Sequence, residues 1–219
     1  MAGRLVEIRL RAYKVFMNGP DTRNPTPEES AAIKGAQRLF FALWPSAETA
    51  AEISAWARAA HALCGGRVMR PETLHMTLAF LGNTPAARAR ELIHAAPSWT
   101  IPAGTLELRH FGRFAGPRIV WAGPSAHDGE RIPWLDQAYD RLWSYLSALG
   151  WQRPPSVFRP HVSLLRKAGD ADLGALHAPP VVWTPARCAL VASRPSEEGS
   201  YYQVLATVPM EGCPRGPQR

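Results

Sequence analysis

The sequence contains few cysteines and no recognisable metal-binding signature. Its three cysteines, Cys64, Cys188 and Cys213, are widely spaced and include no CxxC pair. This spacing predicts neither a zinc knuckle nor a disulfide framework, and it favours a reducing cytoplasm. The sequence also lacks an HExxH motif and the clustered carboxylates that two-metal sites use. We therefore expect the protein to need no metal and no other cofactor.

Long apolar runs are also absent. No stretch of about 18 apolar residues occurs, so no segment is expected to span a membrane. Charged residues interrupt the apolar residues of the N-terminus, which argues against a signal peptide. Residues 4–16 fit either a basic amphipathic arm or a stretch upstream of the true translation start. Three prolines between residues 18 and 29 predict a loop or linker.

The composition is that of a folded and basic protein. Of the 219 residues, 46% are hydrophobic and 20% are charged, which argues against disorder. The formal net charge is +7. A positive surface suits a polyanion such as RNA, because neutralised phosphates release counterions. An arginine-rich genomic composition explains the charge equally well, so the charge supports a nucleic-acid partner without establishing one.

Apolar periodicity predicts a strand, a helix and a second strand in the first half of the chain. An apolar strand at residues 39–44 precedes a helix that Ser46 caps and that ends near Leu63. A strand at residues 74–81 follows, and its residues alternate between an apolar and a polar face. The predicted apolar face consists of Leu74, Met76, Leu78 and Phe80.

The same order of elements occurs again in the second half. A strand is predicted at residues 118–122, a helix at residues 133–149 and a further strand in the segment 158–166, where His161 and Ser163 share one face. Further strands are predicted at residues 105–114, 181–193 and 201–208. Such an internal repeat predicts an α+β fold with two similar lobes related by a pseudo-twofold axis. Each lobe would be an antiparallel sheet with helices outside, and a central cleft would separate the sheets.

We expect the chain to divide into three parts. Residues 1–36 would form an N-terminal extension that is partly a linker. Residues 37–210 would form the bilobal domain, and residues 211–219 a C-terminal tail. The protein is expected to act as a monomer.

The repeat places one histidine and one hydroxyl residue on the second strand of each copy. Of seven histidines, only His75 and His161 are followed by a hydroxyl residue at the second position and leucine at the third. Residues i and i+2 of a strand share a face, so Thr77 projects with His75 and Ser163 with His161. When such a motif occurs once, its histidine most often has only a structural role. Two copies in matching contexts indicate a functional site.

Two imidazoles and two hydroxyls that face a cleft suit the hydrolysis of a phosphodiester. One imidazole can take a proton from water while the other gives a proton to the leaving alkoxide, since the unperturbed pKa of imidazole is about 6.5. Thr77 and Ser163 can donate hydrogen bonds to the non-bridging oxygens as negative charge develops there. This reaction needs neither a covalent intermediate nor a metal.

Four segments of the sequence carry a family resemblance, at residues 39–45, 72–82, 158–166 and 199–202. Together they resemble the two-histidine (2H) phosphoesterases, and in particular the RNA 2′,3′-cyclic phosphodiesterases, also known as the 2′-5′ RNA ligase family. The resemblance runs from Arg38 to Val208. It implies a bilobal fold and the hydrolysis of an RNA 2′,3′-cyclic phosphate end to a 2′-phosphomonoester, with O3′ as the leaving atom.

The resemblance also implies roles for individual residues. The catalytic and phosphate-binding positions fall on His75, His161, Thr77 and Ser163. Arg166 matches a family arginine that either holds a phosphate or pairs with a carboxylate, and Tyr202 matches a family tyrosine whose role is open. As a hypothesis, His161 is the base for water and His75 the acid for O3′. The pseudo-symmetry leaves the reverse assignment open.

Three alternative functions remain at this level. The same site could catalyse 2′-5′ ligation of RNA ends, although hydrolysis should dominate in water. The substrate could be another cyclic phosphate, such as a free nucleoside 2′,3′-cyclic phosphate or an ADP-ribose cyclic phosphate. The protein could also bind RNA through its basic surface without catalysis. The two intact motifs argue against this last alternative, because a binding module needs no pair of acid–base groups.

Overall fold

The computed structural model of the protein describes residues 35–124, 131–185, 187–196 and 199–211. The predicted amphipathic arm and linker, nearly all of the N-terminal extension and the end of the C-terminal tail lie outside these residues. Cys213 lies outside them as well, whereas Cys64 and Cys188 are buried free thiols. The division of the chain at residues 36 and 210 stays a prediction.

The first half of the described chain contains three strands and two helices: β1 (Gln37–Trp44), α1 (Ala47–Cys64), β2 (Arg67–Val68), β3 (Met76–Thr84) and α2 (Ala86–Ala95). Ser46 caps α1 as predicted, because its hydroxyl accepts a hydrogen bond from the backbone N–H of Thr49 at 3.2 Å. Gly65 ends the helix with a φ of 60°. Helix α2, which begins directly after Pro85, was not predicted from the sequence.

The second half contains seven strands and one helix: β4 (Leu106–Leu108), β5 (His110–Phe114), β6 (Ile119–Gly123), α3 (Pro133–Ala148), β7 (Val162–Arg166), β8 (Val181–Trp183), β9 (Arg187–Ser196) and β10 (Gly199–Val208). The single strand predicted at residues 105–114 is wrong, because two strands, β4 and β5, occupy this segment. Arg109 separates them, and its N–H donates to the carbonyl of Gly123. The predicted strand at residues 181–193 is also divided, at Pro185, which has no N–H to donate.

The sheet that carries the site is antiparallel throughout and has eight strands. Its order is β10-β9-β1-β3-β7-β6-β5, and β2 lies beside β7. One lobe comprises β10, β9, β1 and β3, and the other comprises β2, β7, β6 and β5. The lobes meet at a single residue pair, in which Met76 of β3 is opposite Val162 of β7. A separate two-stranded sheet pairs β4 with β8.

The three α-helices of the described residues pack on one face of this sheet. Trp56 of α1, Leu92 of α2 and Trp143 of α3 are buried in the same core as Leu39 and Phe41 of β1. Trp56 and Trp143 are both almost completely buried in this core. Each large apolar side chain removed from water contributes about 1.5–3 kcal/mol. No helix in the described part of the chain is long and apolar enough to cross a membrane.

Strand β1 reads as an unbroken apolar run because both of its faces are covered. Leu39 and Phe41 point into the main core, whereas Phe40, Ala42 and Trp44 form a second buried cluster on the opposite face. A strand buried on both faces has no need for polar alternation. The sheet therefore offers an apolar floor on the face that lies away from the helices.

Candidate active site

The register of two strands brings the predicted histidines together. His75 and His161 each stand one residue before a strand, and the residues that follow them, Met76 and Val162, are the pair that joins the lobes. Met76 and Val162 are fully buried on the helix side. Because neighbouring residues of a strand point to opposite faces, both imidazoles lie on the open face.

The two hydroxyl residues lie on the same face, on the other side of the joining pair. Thr77 follows Met76 and Ser163 follows Val162, and both are partly exposed. In an antiparallel register, the positions on either side of the Met76–Val162 pair also lie across from each other. His75 is therefore across from Ser163, and Thr77 is across from His161. The structure thus brings all four residues of the predicted motif to one place between the lobes.

A matching hydrogen bond fixes each imidazole. The Nδ1–H of His75 donates to the carbonyl of Thr73 at 2.7 Å, and the Nδ1–H of His161 donates to the carbonyl of Arg159 at 2.7 Å. A carbonyl oxygen only accepts, so Nδ1 carries the hydrogen in both rings. Nε2 is then the nitrogen that can exchange a proton with a ligand in the cleft.

An aromatic cluster encloses His75. The rings of Phe40 and Trp44 stack on the imidazole with their centroids at 5.0 Å, and Tyr202 meets it edge-on at 5.3 Å. Phe40 and Trp44 belong to the second buried cluster, and Tyr202 packs against that cluster. Trp44 is therefore both part of a buried cluster and a wall of the site.

This enclosure changes the proton affinity of the ring. Burial lowers the pKa of His75 to about 4, and the hydrogen bond to Thr73 opposes this effect. The positive charge of Arg166, and that of His161 when it is protonated, lower the pKa of His75 further. Burial also lowers the pKa of His161, against the hydrogen bond to Arg159. In the free protein both imidazoles are thus predominantly neutral at pH 7.

A second aromatic wall lies beside His161. The edge of Phe114 meets the imidazole at 4.9 Å, and Trp121 lies at 6.2 Å. Trp121 is the cross-strand partner of Ser163 on one side and of Gly112 on the other. Its indole lies over Gly112, where an added Cβ would come within 2.0 Å of the ring. Glycine at position 112 therefore lets the indole lie flat on the sheet.

A β-bulge directs Arg166 into the cleft. In β6, Val120 is opposite Leu165 and the next residue, Trp121, is opposite Ser163. Leu164 of β7 therefore has no partner in β6. Leu164 and Leu165 are consequently both buried, and Arg166 returns to the face that carries Ser163. Without the extra residue, strict alternation would place Arg166 on the helix side.

The same irregularity occurs in β3 and corrects part of the sequence analysis. In β1, Phe41 is opposite Ala79 and the next residue, Ala42, is opposite Thr77. Leu78 is therefore an extra residue of β3 that has no partner in β1. Ala79, predicted to lie on the polar face, is buried. Phe80, predicted to lie on the apolar face, shares the face of Thr77 and is 53% exposed. The period-two alternation is wrong beyond Leu78 because it assumes a regular ladder.

The cleft continues into a basic pocket between the lobes. Its lining includes Arg67, Arg70, Thr73, Arg166, Ser200 and Tyr202. Arg70 donates to the carbonyl of Ser200 at 3.1 Å and pairs with Glu72 at 3.3 Å. Among the described residues, no carboxylate pairs with Arg166. Of the two roles expected for Arg166, this arrangement favours the binding of a phosphate.

Tyr202 links this pocket to the histidines. Burial raises the pKa of its phenol, while the positive charges of Arg166, Arg38 and Arg67 act in the opposite direction. The hydroxyl therefore stays protonated at neutral pH and can donate a hydrogen bond. Because the ring also packs against His75, Tyr202 contributes to the wall of the site.

Several residues of the site were not identified from the sequence: Phe40, Phe114 and Trp121 lie against the imidazoles, and Arg67 lines the adjoining pocket. The unbroken apolar run of β1 was a usable signal for Phe40, since it implies that both faces of the strand are covered. No comparable local signal marks Arg67, because β2 is only two residues long. Among the described residues, no group of three His, Cys, Asp or Glu side chains is placed to hold a metal ion.

Comparison with known proteins decides the family. The model of the family described as LigT like Phosphoesterase matches residues 43–121. An RNA 2′,3′-cyclic phosphodiesterase from Escherichia coli K12 is 33% identical over 135 residues, which cover 62% of this chain and 74% of that protein. The chain belongs to the LigT-like phosphoesterase family. This result confirms the family and the phosphoesterase activity predicted from the sequence.

Solved structures confirm the predicted fold. The crystal structure of E. coli LigT in apo form is 31% identical, has a TM-score of 0.64 and covers 81% of this chain and 99% of that chain. The structure of E. coli LigT complexed with 3′-AMP is 28% identical, with a TM-score of 0.65 and coverage of 80% and 99%. The α+β architecture with antiparallel sheets is therefore shared along nearly the whole length of these proteins.

Proposed function

We propose that this protein hydrolyses the 2′,3′-cyclic phosphate at the end of an RNA strand to a 2′-phosphomonoester. The observation that carries the proposal is the pair Met76–Val162, which sets two His-x-hydroxyl units side by side. In both units Nδ1 is held by a backbone carbonyl, which leaves Nε2 for proton exchange. The name of the E. coli relative supports a cyclic phosphate of RNA as the substrate.

The two histidines act as base and acid on opposite sides of the phosphorus. Nε2 of His161 removes a proton from water, and the water oxygen forms a bond to phosphorus. The bond between phosphorus and O3′ breaks, and O3′ takes the proton from Nε2 of His75. The products are a 2′-phosphomonoester and a free 3′-hydroxyl, and proton exchange with water restores both rings.

Three further side chains stabilise the charge on phosphorus. Thr77 and Ser163 donate hydrogen bonds to the non-bridging oxygens, and these bonds strengthen as charge builds in the transition state. The guanidinium of Arg166, which the bulge in β7 directs into the cleft, neutralises the same charge. Each donor is held by a strand, so little reorganisation is required during the reaction.

Substrate binding prepares the acid. A histidine whose pKa is about 4 is neutral in the free protein at pH 7 and has no proton to give. The negative charge of a bound phosphodiester favours the protonated form of a nearby imidazole. His75 therefore becomes an acid only when the phosphate occupies the cleft. His161 has to stay neutral in the same complex in order to act as the base.

The test is hydrolysis of an oligoribonucleotide that ends in a 2′,3′-cyclic phosphate, with EDTA present. We expect a 2′-phosphate product and a loss of about 10²–10⁴-fold in His75→Ala and in His161→Ala. His177→Ala is the matched control, since the Nδ1–H of this exposed ring also donates to the carbonyl two residues earlier. A 3′-phosphate product, or full turnover in both variants, would overturn the proposal.

The same experiment separates the alternatives. Turnover of free nucleoside cyclic phosphates alone would narrow the substrate to small molecules, and joined products would indicate 2′-5′ ligation. Binding of RNA that survives loss of both histidines, without any turnover, would indicate a binding protein. We further propose that the protein acts in the cytoplasm, which its three widely spaced cysteines support, and without a metal, because its acid–base pair needs none. We also propose that it acts as a monomer.

A further inference from the structure

Only two described residues other than glycine have a positive φ, and both lie at the end of strand β7. They are Arg118, with a φ of 53°, and Lys167, with a φ of 56°. This left-handed conformation costs an L-residue free energy, because its Cβ comes too close to the backbone. A residue keeps such a conformation only where the surrounding structure holds it there, and residues of this kind cluster at functional sites.

The two strained residues lie across from each other where the chain leaves the sheet. Ile119 of β6 is opposite Arg166, the last residue of β7. In this antiparallel ladder the next position belongs to Arg118 and Lys167. The main chain closes the ladder there, since the N–H of Ala168 donates to the carbonyl of Arg118 at 3.1 Å.

The side chain of Arg118 forms a clasp on the end of β7. Its Nε–H donates to the carbonyl of Ala168 at 3.0 Å, and its Nη2 donates to the carbonyl of Lys167 at 3.4 Å. At the opposite edge of β7, a Cβ on Gly66 would lie 2.8 Å from the carbonyl oxygen of Arg166 and 2.9 Å from the nitrogen of Ala168. Residues 166–168 are therefore held between the guanidinium of Arg118 and a closely packed glycine.

The clasp acts on the residue whose guanidinium enters the cleft. The bulge at Leu164 brings Arg166 onto the face that carries Ser163, and Arg166 lines the pocket between the lobes. Because Arg166 ends its strand, the conformation of Lys167 decides how the backbone continues from it. If Lys167 returned to an ordinary φ, the end of β7 would move, and the guanidinium of Arg166 would move with it.

We infer that Arg118 is a positioning residue for Arg166, because its clasp keeps Lys167 in the left-handed conformation and the Arg166 guanidinium aligned with the phosphate. The inference rests on the proposed function, in which Arg166 neutralises charge on the phosphorus. Arg118 acts through the main chain and does not contact the substrate. Without its hydrogen bonds, Lys167 lowers its free energy by leaving the left-handed region. A guanidinium binds phosphate in a fixed geometry, so a small displacement weakens the contact.

Calorimetry with inorganic phosphate tests the inference without any need for turnover. Arg118→Met removes both hydrogen bonds of the clasp, and we expect it to bind phosphate about fivefold more weakly than the wild-type protein. Arg113→Met is the matched control. Arg113 lies in β5 of the same hairpin and donates to the carbonyl of Ala171 at 2.7 Å, further along the loop that follows β7. Its replacement removes the same charge and should leave the phosphate affinity unchanged.

Two backgrounds separate positioning from a merely structural role. In Lys167→Gly, glycine adopts a positive φ without the clasp, so adding Arg118→Met should weaken phosphate binding less than twofold. In Arg166→Lys, the ammonium needs no aligned fork, so adding Arg118→Met should again weaken binding less than twofold. On a cyclic phosphate substrate, kcat/KM should follow the same pattern. Urea unfolding confirms that each variant is folded.

The outcomes distinguish this inference from the proposed function. An unchanged phosphate affinity in Arg118→Met, or an equal loss in Arg113→Met, would overturn the inference. A fivefold effect of Arg118→Met that persists in either background would overturn it as well. These results leave the proposed function intact, since the histidine variants decide that question. If the wild-type protein hydrolysed no cyclic phosphate, the proposed function would fail, and phosphate binding would still decide whether Arg118 positions Arg166.

Discussion

Replacement of His75 by glutamine should change how the stability of the protein depends on pH. Burial in the aromatic cluster of Phe40, Trp44 and Tyr202 lowers the pKa of His75 to about 4 in the folded state. In the unfolded chain a histidine has a pKa of about 6.5. The unfolded state therefore binds a proton first as the pH falls, and each such proton favours unfolding.

The magnitude follows from the two pKa values. Well above pH 6.5, His75 is neutral in both the folded and the unfolded state, so its burial makes the free energy of unfolding no more dependent on pH. At pH 5 the preferential protonation of the unfolded chain lowers the free energy of unfolding by about 2 kcal/mol. Below pH 4 the loss levels off at about 3 kcal/mol, because one pKa unit corresponds to about 1.4 kcal/mol. A glutamine in place of His75 removes this loss.

Urea denaturation of the wild-type protein and of His75→Gln at pH 7.5 and pH 5 measures the effect. Any change that the substitution causes at both pH values cancels in the difference, and so do the contributions of His161 and of the carboxylates. His177→Gln serves as the control, since this ring is exposed. We expect the wild-type protein to lose about 2 kcal/mol more than His75→Gln.

A difference smaller than about 0.5 kcal/mol would refute the reasoning, because it would mean that His75 titrates in the folded protein much as it does in the unfolded chain.

A bound anion provides a second check, because it should stabilise the folded protein at low pH, where burial of His75 destabilises it. If the phosphate in the cleft favours the protonated imidazole, inorganic phosphate should stabilise the wild-type protein more at pH 5 than at pH 7.5. This extra protection should be absent in His75→Gln.

Three further predictions concern catalysis. In His75→Ala, a substrate whose leaving group needs no proton should recover most of the lost rate, and no recovery would reverse the assignment of acid and base. Gly112→Ala should lower kcat/KM because its Cβ displaces the ring of Trp121, whereas Gly116→Ala, where an added Cβ meets open space, should not. Ser163→Ala should reduce kcat by about 10²–10³-fold, and Ser163→Thr, which keeps the hydroxyl, should retain most of the activity.

The features of the site that could be predicted are those that depend on near neighbours in sequence. A strand alternates its faces every residue, so the projection of Thr77 with His75 follows from two positions alone. The repeat of that unit at His161 and Ser163 then indicates two lobes. The cap at Ser46 is local in the same sense, and the structure agrees with it.

The features that could not be predicted depend on the partner strand. The bulges at Leu78 and Leu164 arise from the pairing of β3 with β1 and of β7 with β6, and nothing in either segment announces an extra residue. The placement of Arg67 depends on β2 joining β7 from a distant part of the chain. The enclosure of His75 likewise requires Tyr202, which is contributed by the last strand.

The two bulges extend the internal repeat beyond the motif and also explain how the two lobes differ. Each bulge follows its histidine by the same interval and brings the fifth residue after it, Phe80 or Arg166, onto the cleft face. The exposed ring of Phe80 lies under the guanidinium of Arg38 at 4.9 Å. One lobe therefore presents an aromatic ring where the other presents a cation.

This difference bears on why the two matching motifs, at His75 and at His161, need not have the same role in the reaction. The backbone holds both Nδ1 atoms alike, so the rings have the same tautomer and the same freedom at Nε2. What differs is the surroundings: the rings of Phe40 and Trp44 stack on His75, whereas Phe114 meets His161 only edge-on. A desolvated ring responds most strongly to an anion placed beside it, because no water screens the charge. Of the two rings, we therefore expect His75 to be the one whose protonation responds more strongly to the substrate's phosphate, which is the property that its proposed role as the acid requires.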